Sequence, residues 1–132
     1  MMTVAAKRIL IVDDDIEMTH LMRDILKLED NSYEMVLAHN GIQAIEKSKS
    51  EKVDLILLDI RMPFFSGYWF CDAFKQRPET KNIPIVIVSA LLDDDGIRKA
   101  YDAGASACLK KPFQPSELAD LVRHTLSTHP NL

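Results

Sequence analysis

The sequence ILIVDDD, at residues 9–15, joins a short run of β-branched residues and leucine to three consecutive carboxylates. Two runs of the same kind, LILL at residues 55–58 and IVIV at residues 85–88, also end at a polar residue. Four apolar residues without alternation are typical of strands covered on both faces, as in a parallel sheet between layers of helices. Weaker strand candidates lie at residues 35–38 and 107–109.

The segments between these runs change to a helical period. Apolar residues recur near i, i+3, i+4 and i+7 in segments that begin at Met18, Ile97 and Leu118, which predicts amphipathic helices. In the first of these segments, one apolar face is expected to contain Met18, Leu21, Met22 and Ile25. Shorter helices are predicted over residues 42–49 and 68–75. Strands and helices that alternate five times predict a doubly wound α/β fold, with helices on both faces of a parallel sheet.

The composition indicates one globular domain of mild acidity. The 132 residues suffice for a single core, and 16 Lys and Arg against 20 Asp and Glu give a formal charge of −4. This balance argues against direct nucleic-acid binding, which depends on neutralising phosphates, and against attraction to an anionic membrane.

The two cysteines, Cys71 and Cys108, have no metal-binding spacing and are interpreted as reduced thiols. No apolar run approaches the ~18 residues of a membrane helix, and the first eight residues do not read as a signal peptide. We therefore expect a cytoplasmic protein without membrane insertion.

Chemically useful side chains follow four of the predicted strands. Asp13 and Asp14 follow the first strand, Asp59 the third, Ser89 the fourth and Lys111 the fifth. In open α/β sheets, ligands bind outside the carboxyl ends of the strands. Clustered carboxylates favour a cation, and Mg²⁺ suits oxygen ligands combined with phosphate. One of the carboxylates could accept a phosphoryl group, whose charge an ammonium and a hydroxyl would compensate.

Five short motifs occur in an order that resembles the receiver domain of two-component response regulators: VDD at 12–14, LDIRMP at 58–63, SA at 89–90, AGA at 103–105 and KPF at 111–113. The resemblance implies a flavodoxin-like (βα)5 fold with strand order 2-1-3-4-5. It spans residues 8–126, which leaves an N-terminal tail at 1–7 and a C-terminal tail at 127–132.

The resemblance also implies roles for individual acidic residues. Asp59 corresponds to the phosphorylated aspartate. Asp13, Asp14 and Asp59, together with the backbone carbonyl of Arg61, correspond to the Mg²⁺ ligands.

Ser89 and Lys111 correspond to the hydroxyl and the lysine that contact the phosphoryl group, so Asp59, Ser89 and Lys111 form the expected catalytic set. A cis peptide bond is expected between Lys111 and Pro112, since proline tolerates this isomer. Lys110 is interpreted as a solvated surface charge.

The sequence departs from the family at the expected switch, which pairs Ser89 with an aromatic residue on the last strand. Cys108 occupies the aromatic position. Tyr101 is a possible substitute, although its spacing favours a place in the core. Leu91, two residues after Ser89, is expected to obstruct water and slow hydrolysis of the phosphoryl group.

Three aromatic residues, Phe64, Phe65 and Trp69, follow the expected acceptor closely. Local packing is the favoured interpretation, and an exposed patch for a partner or a dimer contact is the alternative. Solvent exposure discriminates between them.

The acidic run at residues 93–95 is interpreted as a helix N-terminus. The four histidines, His20, His39, His124 and His129, are interpreted as non-catalytic residues of surface helices or tails.

The expected function is that of a signalling module rather than an enzyme. A sensor histidine kinase or a phosphotransfer protein would donate the phosphoryl group, and a downstream target would bind in trans. A phosphorylation-independent adaptor is the alternative, because Cys108 changes the usual switch. A hydrolase of the haloacid-dehalogenase type is disfavoured, because that family needs a larger chain with a cap. Asp13-x-Asp15 resembles the start of its first motif, but Glu17 stands where that motif has Thr or Val.

Overall fold

The computed structural model describes residues 6–128, in which strands and helices alternate along the chain. The elements are β1 (Arg8–Val12), α1 (Ile16–Glu29), β2 (Glu34–Ala38), α2 (Gly41–Ser50), β3 (Leu55–Leu58), α3 (Gly67–Gln76), β4 (Ile85–Ser89), α4 (Asp94–Asp102), β5 (Ala107–Lys110) and α5 (Pro115–Thr128). All strand pairs are parallel, in the order β2-β1-β3-β4-β5, so the predicted fold is confirmed.

The chain ends differ slightly from the expected tails. Helix α5 continues to Thr128, so residues 127 and 128, which the resemblance placed in the C-terminal tail, are helical. The rest of that tail, including His129, lies outside the described residues, as does most of the expected N-terminal tail.

The sheet is buried on both faces because helices cover each side. Ile9 and Ile11 of β1 pack with α1 and α5, whereas Leu10 and Val12 pack with α2, α3 and α4. Every residue of β3 is buried, which explains why its sequence shows no alternation. The outer strands β2 and β5 contain half-buried residues, and their sequence signal is correspondingly weaker.

Four helix N-termini are capped by side chains that follow the strands. Asp15, Asn40, Ser66 and Asp93 each accept a hydrogen bond from a backbone N–H in the first turn of α1 to α4. The run at residues 93–95 caps and opens α4, so its interpretation as a helix start is confirmed. The caps place four helix starts at the carboxyl edge of the sheet.

Two expectations about helix faces are wrong. In α1 the buried residues are Thr19, Met22 and Leu26, while Leu21 is half exposed. Tyr101 of α4 is 50% exposed and does not belong to the core. Apolar spacing at i+3 and i+4 fits two adjacent helix faces, and the neighbouring sheet decides which one is buried. No helix within residues 6–128 has the length and hydropathy needed to cross a membrane.

Candidate functional site

Asp13 and Asp59 lie side by side because β1 and β3 are neighbours. The backbone N–H of Asp59 donates to the carbonyl of Val12 over 3.0 Å, and that of Asp13 donates to Ala38 over 3.1 Å. The hydrogen-bond ladder therefore continues one residue beyond the strands and fixes the backbone at both carboxylates.

The two carboxylates are held in the same way. Oδ1 of Asp13 accepts from the backbone N–H of Asp15 at 3.0 Å, and Oδ1 of Asp59 accepts from that of Arg61 at 3.2 Å. The Oδ2 atoms converge on Nζ of Lys111, at 2.6 Å from Asp13 and 3.1 Å from Asp59. Asp13 is 1% exposed and Asp59 is 8% exposed.

Asp14 completes an acidic cluster at this edge. Carboxylate oxygens of Asp13, Asp14 and Asp59 lie within 4.8 Å of one another, and Asp14 is the exposed member. Lys111 supplies one positive charge against three carboxylates. The hard oxygen donors and the uncompensated negative charge suit a divalent cation that retains water ligands.

Burial and pairing affect the titration of this cluster in opposite ways. Burial raises the pKa of Asp13 above its ordinary value, although the hydrogen bonds from Lys111 and Asp15 oppose the shift. Burial by itself lowers the pKa of Lys111, but the hydrogen bond to Asp13 and the charge of Asp59 raise it overall. Lys111 therefore stays an ammonium ion near neutral pH.

Lys111 is aimed into the cluster by the turn after β5. Its backbone N–H donates to the carbonyl of Ser89 at 2.9 Å, and its peptide bond to Pro112 is cis, as predicted. Lys110 is exposed, which confirms its interpretation as a surface charge.

Ser89 and Arg61 lie at the same edge but make different contacts from those expected. Oγ of Ser89 accepts from the backbone N–H of Leu91 at 3.2 Å. Within residues 6–128, this hydroxyl makes no hydrogen bond to the side chain of Asp59 or Lys111. Arg61 touches Asp59 through its backbone N–H, and its side chain is exposed. The roles of Ser89 and of the Arg61 carbonyl stay predictions.

Cys108 of β5 lies beside Tyr101 of α4, and burial raises the pKa of both side chains. The interaction with Tyr101 opposes the effect of burial on the pKa of Cys108. Nearby, the hydroxyl of Tyr68 in α3 donates to the carbonyl of Gly96 in α4 at 3.1 Å. The hydrogen bond of Tyr68 therefore ties α4 to α3.

His39 lies beside the acidic cluster, a position that sequence reasoning missed. Its Nε2 lies 3.2 Å from Oγ1 of Thr19, whose hydroxyl already donates to Ile16, so His39 acts as the donor. A cavity of about 440 Å³ lies between this part of the chain and the loop after β3, and it is lined by Asp14, His39, Asn40, Ile42, Phe64 and Phe65. The available signal was position, because His39 follows β2 directly, as Asp13 follows β1. His20 and His124 are exposed.

The aromatic residues after β3 are exposed to different degrees. Phe64 is 97% exposed, Trp69 51% and Phe65 41%. The rings of Phe65 and Trp69 stack with centroids 5.0 Å apart, so these two residues do pack locally. The prediction that these residues pack locally is therefore wrong for Phe64. The alternative prediction, an exposed patch, describes this surface better.

The pattern of this site agrees with comparisons to known proteins. A sequence model of the response regulator receiver domain matches residues 9–123. The chain belongs to this family. The chemotaxis protein CheY of Bacillus subtilis is 37% identical over 123 residues, which cover 92% of this receiver and 99% of CheY.

Other relatives are longer. The transcriptional regulatory protein CpxR homolog of Haemophilus influenzae is 34% identical over 119 residues, which cover 90% of this chain and 50% of that protein. The transcriptional regulatory protein KdpE of Staphylococcus aureus is 35% identical over 116 residues, which cover 88% and 48%. The receiver thus spans about half the length of these transcriptional regulators.

Solved structures agree with the fold. A putative response regulator from Chloroflexus aurantiacus superposes with a TM-score of 0.84 at 31% identity, covering 92% of this receiver and 98% of that chain. A CheY-like receiver domain protein from Methanospirillum hungatei gives a TM-score of 0.82 at 30% identity, with 93% and 95% coverage.

Proposed function

We propose that this receiver accepts a phosphoryl group on Asp59 from the phosphohistidine of a sensor histidine kinase or a phosphotransfer protein. The supporting observation is the convergence of Asp13 and Asp59 on one ammonium, Lys111, with Asp14 at their side. All the positions that the family uses for this reaction carry suitable residues, so a phosphorylation-independent adaptor is not favoured.

The transfer is a nucleophilic displacement at phosphorus. A carboxylate oxygen of Asp59 forms a bond to phosphorus while the P–N bond of the phosphohistidine breaks, and the imidazole leaves with the electron pair and takes up a proton. The product is an acyl phosphate. Lys111 compensates negative charge on the phosphoryl oxygens, and we assign Ser89 to hydrogen-bond one of them.

A magnesium ion is the cofactor in this proposal. The carboxylates of Asp13, Asp14 and Asp59 would hold it, with the backbone carbonyl of Arg61 as a further ligand. The donor set fits because all of these groups are oxygen ligands and the cluster carries excess negative charge. When bound, the ion neutralises charge on the transferring group.

The phosphoryl group would act as a switch by competing for Lys111. An acyl phosphate on Asp59 attracts the ammonium that now pairs with Asp13 and Asp59. The change would propagate through Ser89 and the Tyr101–Cys108 pair to the surface of α4, β5 and α5, where a downstream target binds in trans. Changing such an equilibrium from 1:99 to 99:1 requires about 5.5 kcal/mol. The free thiols of Cys71 and Cys108 are compatible with a cytoplasmic location.

The decisive experiment is incubation with acetyl phosphate and Mg²⁺ followed by intact-mass spectrometry. Wild type is expected to gain the mass of one phosphoryl group, and Asp59→Asn is expected not to. The exposed carboxylate of Asp95 provides a matched control, since Asp95→Asn removes a charge outside the acidic cluster and should be phosphorylated normally. Absence of phosphorylation in wild type, or labelling that survives in Asp59→Asn, would refute the proposal.

A further inference from the structure

The loop between β3 and α3 holds a large apolar ring out in solvent. Phe64 has φ of 71°, a left-handed conformation that is a rare outlier for a bulky residue. An antiparallel bridge between Arg61 and Ser66 closes the loop at its base. Such backbone strain persists only where the surrounding structure imposes it, and it concentrates at functional sites. The loop therefore presents the ring of Phe64 rather than burying it.

Phe64 belongs to an exposed apolar surface made of three aromatic rings and one isoleucine. We call it the aromatic surface and define it as Ile42, Phe64, Phe65 and Trp69. Ile42 is 64% exposed at the start of α2, on the other side of the cavity beside Phe64. Phe65 and Trp69 both contact the buried ring of Phe70, with centroids 5.6 Å and 5.1 Å away. The rings of Phe65 and Trp69 are thus anchored on the core.

The size of the aromatic surface matches one side of a protein interface. With about 200 Å² for a phenylalanine and about 250 Å² for a tryptophan, the three rings expose roughly 400 Å². A standard interface buries about 800 Å² on each partner, of which about 57% is apolar. The rings therefore supply nearly all the apolar area that one partner needs.

The shape of the aromatic surface makes it complementary to itself. Phe64 protrudes at the edge of a cavity whose wall includes Ile42 and Phe65. A two-fold interface requires one patch that presents both a projection and a recess, so that each copy fills the other.

We propose that the aromatic surface binds a second copy of this chain, with Phe64 of each copy inserted into the cavity of the other. The three rings cover about half of the ~800 Å² that a standard interface buries on each partner, so the dimer is weak and forms with increasing protein concentration. This association does not require phosphorylation of Asp59, and it stands or falls separately from the proposed phosphotransfer.

The full chain itself provides the test, by sedimentation equilibrium over a range of protein concentrations. The average mass is expected to rise from 15.0 kDa towards twice that value. Trp69 is the only tryptophan and lies in the interface, so its emission should move to shorter wavelength in parallel with the mass. A mass that stays at 15.0 kDa up to about 1 mM, where an interaction of only ~4 kcal/mol would be half saturated, overturns the proposal.

Two variants locate the contact. Phe64→Gly removes the ring and places a glycine where φ is positive, so the variant should fold normally, which thermal unfolding will verify. It should weaken association about tenfold or more, as expected for a central aromatic anchor. Leu28→Ser is the matched control, because Leu28 is 90% exposed on α1 and lies outside the aromatic surface. Association that is unchanged in Phe64→Gly, or equally reduced in Leu28→Ser, contradicts the proposal.

Discussion

Lys111 is the residue on which the electrostatics of the site depend. Within residues 6–128, its ammonium is the one positive charge that pairs with the buried carboxylates of Asp13 and Asp59. Removing one partner of a buried ion pair leaves a charge that neither water nor protein compensates. Loss of the Lys111 ammonium should therefore destabilise the fold whether or not Asp59 is phosphorylated.

Lys111→Met should lower the free energy of unfolding by about 3 kcal/mol at pH 7. Urea unfolding in the presence of EDTA measures this loss, since no metal can then replace the ammonium. Lys110→Met is the control: Lys110 is exposed, and its replacement should change stability by less than about 0.5 kcal/mol. Equal effects of the two substitutions would mean that the pairing of Lys111 contributes nothing.

The buried thiol of Cys71, which lies outside the acidic cluster, should make the free energy of unfolding depend on pH. Burial raises the pKa of its thiol to about 11 from an ordinary value of 9.0. Above pH 9 the unfolded chain loses this proton while the folded chain keeps it, so stability falls as pH rises from 9 to 11. The contribution of Cys71 is on the order of 3 kcal/mol across these two pH units.

The measurement is the difference in unfolding free energy between wild type and Cys71→Ala at pH 8.5 and pH 10.5. Because other groups titrate in both proteins, only the difference reports Cys71. The advantage of wild type over the variant should shrink at the higher pH. A constant difference would show that the thiol does not keep its proton in the folded state.

Site residues that directly follow a strand could be predicted from the sequence. Features that arise from contacts between residues distant in sequence could not. Asp13, Asp59 and Lys111 converge because parallel strands bring their carboxyl ends to one edge. The exposure of Tyr101, the contact between His39 and Thr19, and the positive φ of Phe64 follow from packing between elements. No local pattern in the sequence encodes these features.

Among the elements, the start of α3 controls the position of the acceptor. A Cβ atom on Gly67 would lie 2.3 Å from the carbonyl oxygen of Asp59 and 2.6 Å from Cα of Ile60. Both atoms belong to the backbone, so no side-chain rotation relieves the clash. The backbone N–H of Gly67 also donates to the carbonyl of Ile60 at 2.7 Å. Helix α3 therefore fits against the acceptor loop only with glycine at its first position.

Gly67→Ala should displace the acceptor loop, lower stability by about 1–3 kcal/mol and slow phosphorylation by acetyl phosphate about tenfold or more. Thermal unfolding and the rate of mass gain measure the two effects. Ser66→Ala is the control: it removes the N-cap of α3 and costs about 1 kcal/mol, but it leaves the acceptor loop unchanged. A normal phosphorylation rate in Gly67→Ala would show that the loop tolerates the displacement.

The prediction of elements succeeded best for strands that are buried on both faces. The runs at residues 9–12, 55–58 and 85–88 lie within β1, β3 and β4, because only a covered strand can afford uninterrupted apolar residues. Helix positions were also predicted, but the prediction of which face of α1 is buried was wrong. Thr19 of α1 is buried because its hydroxyl bonds to Ile16, a compensation that a hydrophobicity pattern cannot detect.

The site lies at the carboxyl edge of the sheet, where the two core clusters on its opposite faces both end. Asp13 and Asp59 are continuous with strands whose side chains alternate between the two layers. Because a domain of this size unfolds cooperatively, a ligand that binds only the assembled cluster stabilises every element. Thermal unfolding can therefore detect binding at the acidic cluster without any phosphotransfer reaction.

Magnesium should raise the melting temperature of wild type. At ten times the dissociation constant, binding contributes about 1.4 kcal/mol. For a domain of 132 residues, 1 kcal/mol corresponds to roughly 4 °C, which predicts an increase of about 6 °C. NaCl at the same ionic strength tests whether screening alone explains the effect.

Two variants with the same loss of charge separate specific binding from bulk electrostatics. Asp14→Asn removes the exposed carboxylate of the cluster and should abolish the increase, because two buried carboxylates that already pair with Lys111 hold a divalent cation poorly. Asp95→Asn leaves the cluster intact and should retain it. If both variants respond to magnesium as wild type does, the ion is not bound by these three carboxylates, and the proposed metal site is wrong even if Asp59 is phosphorylated.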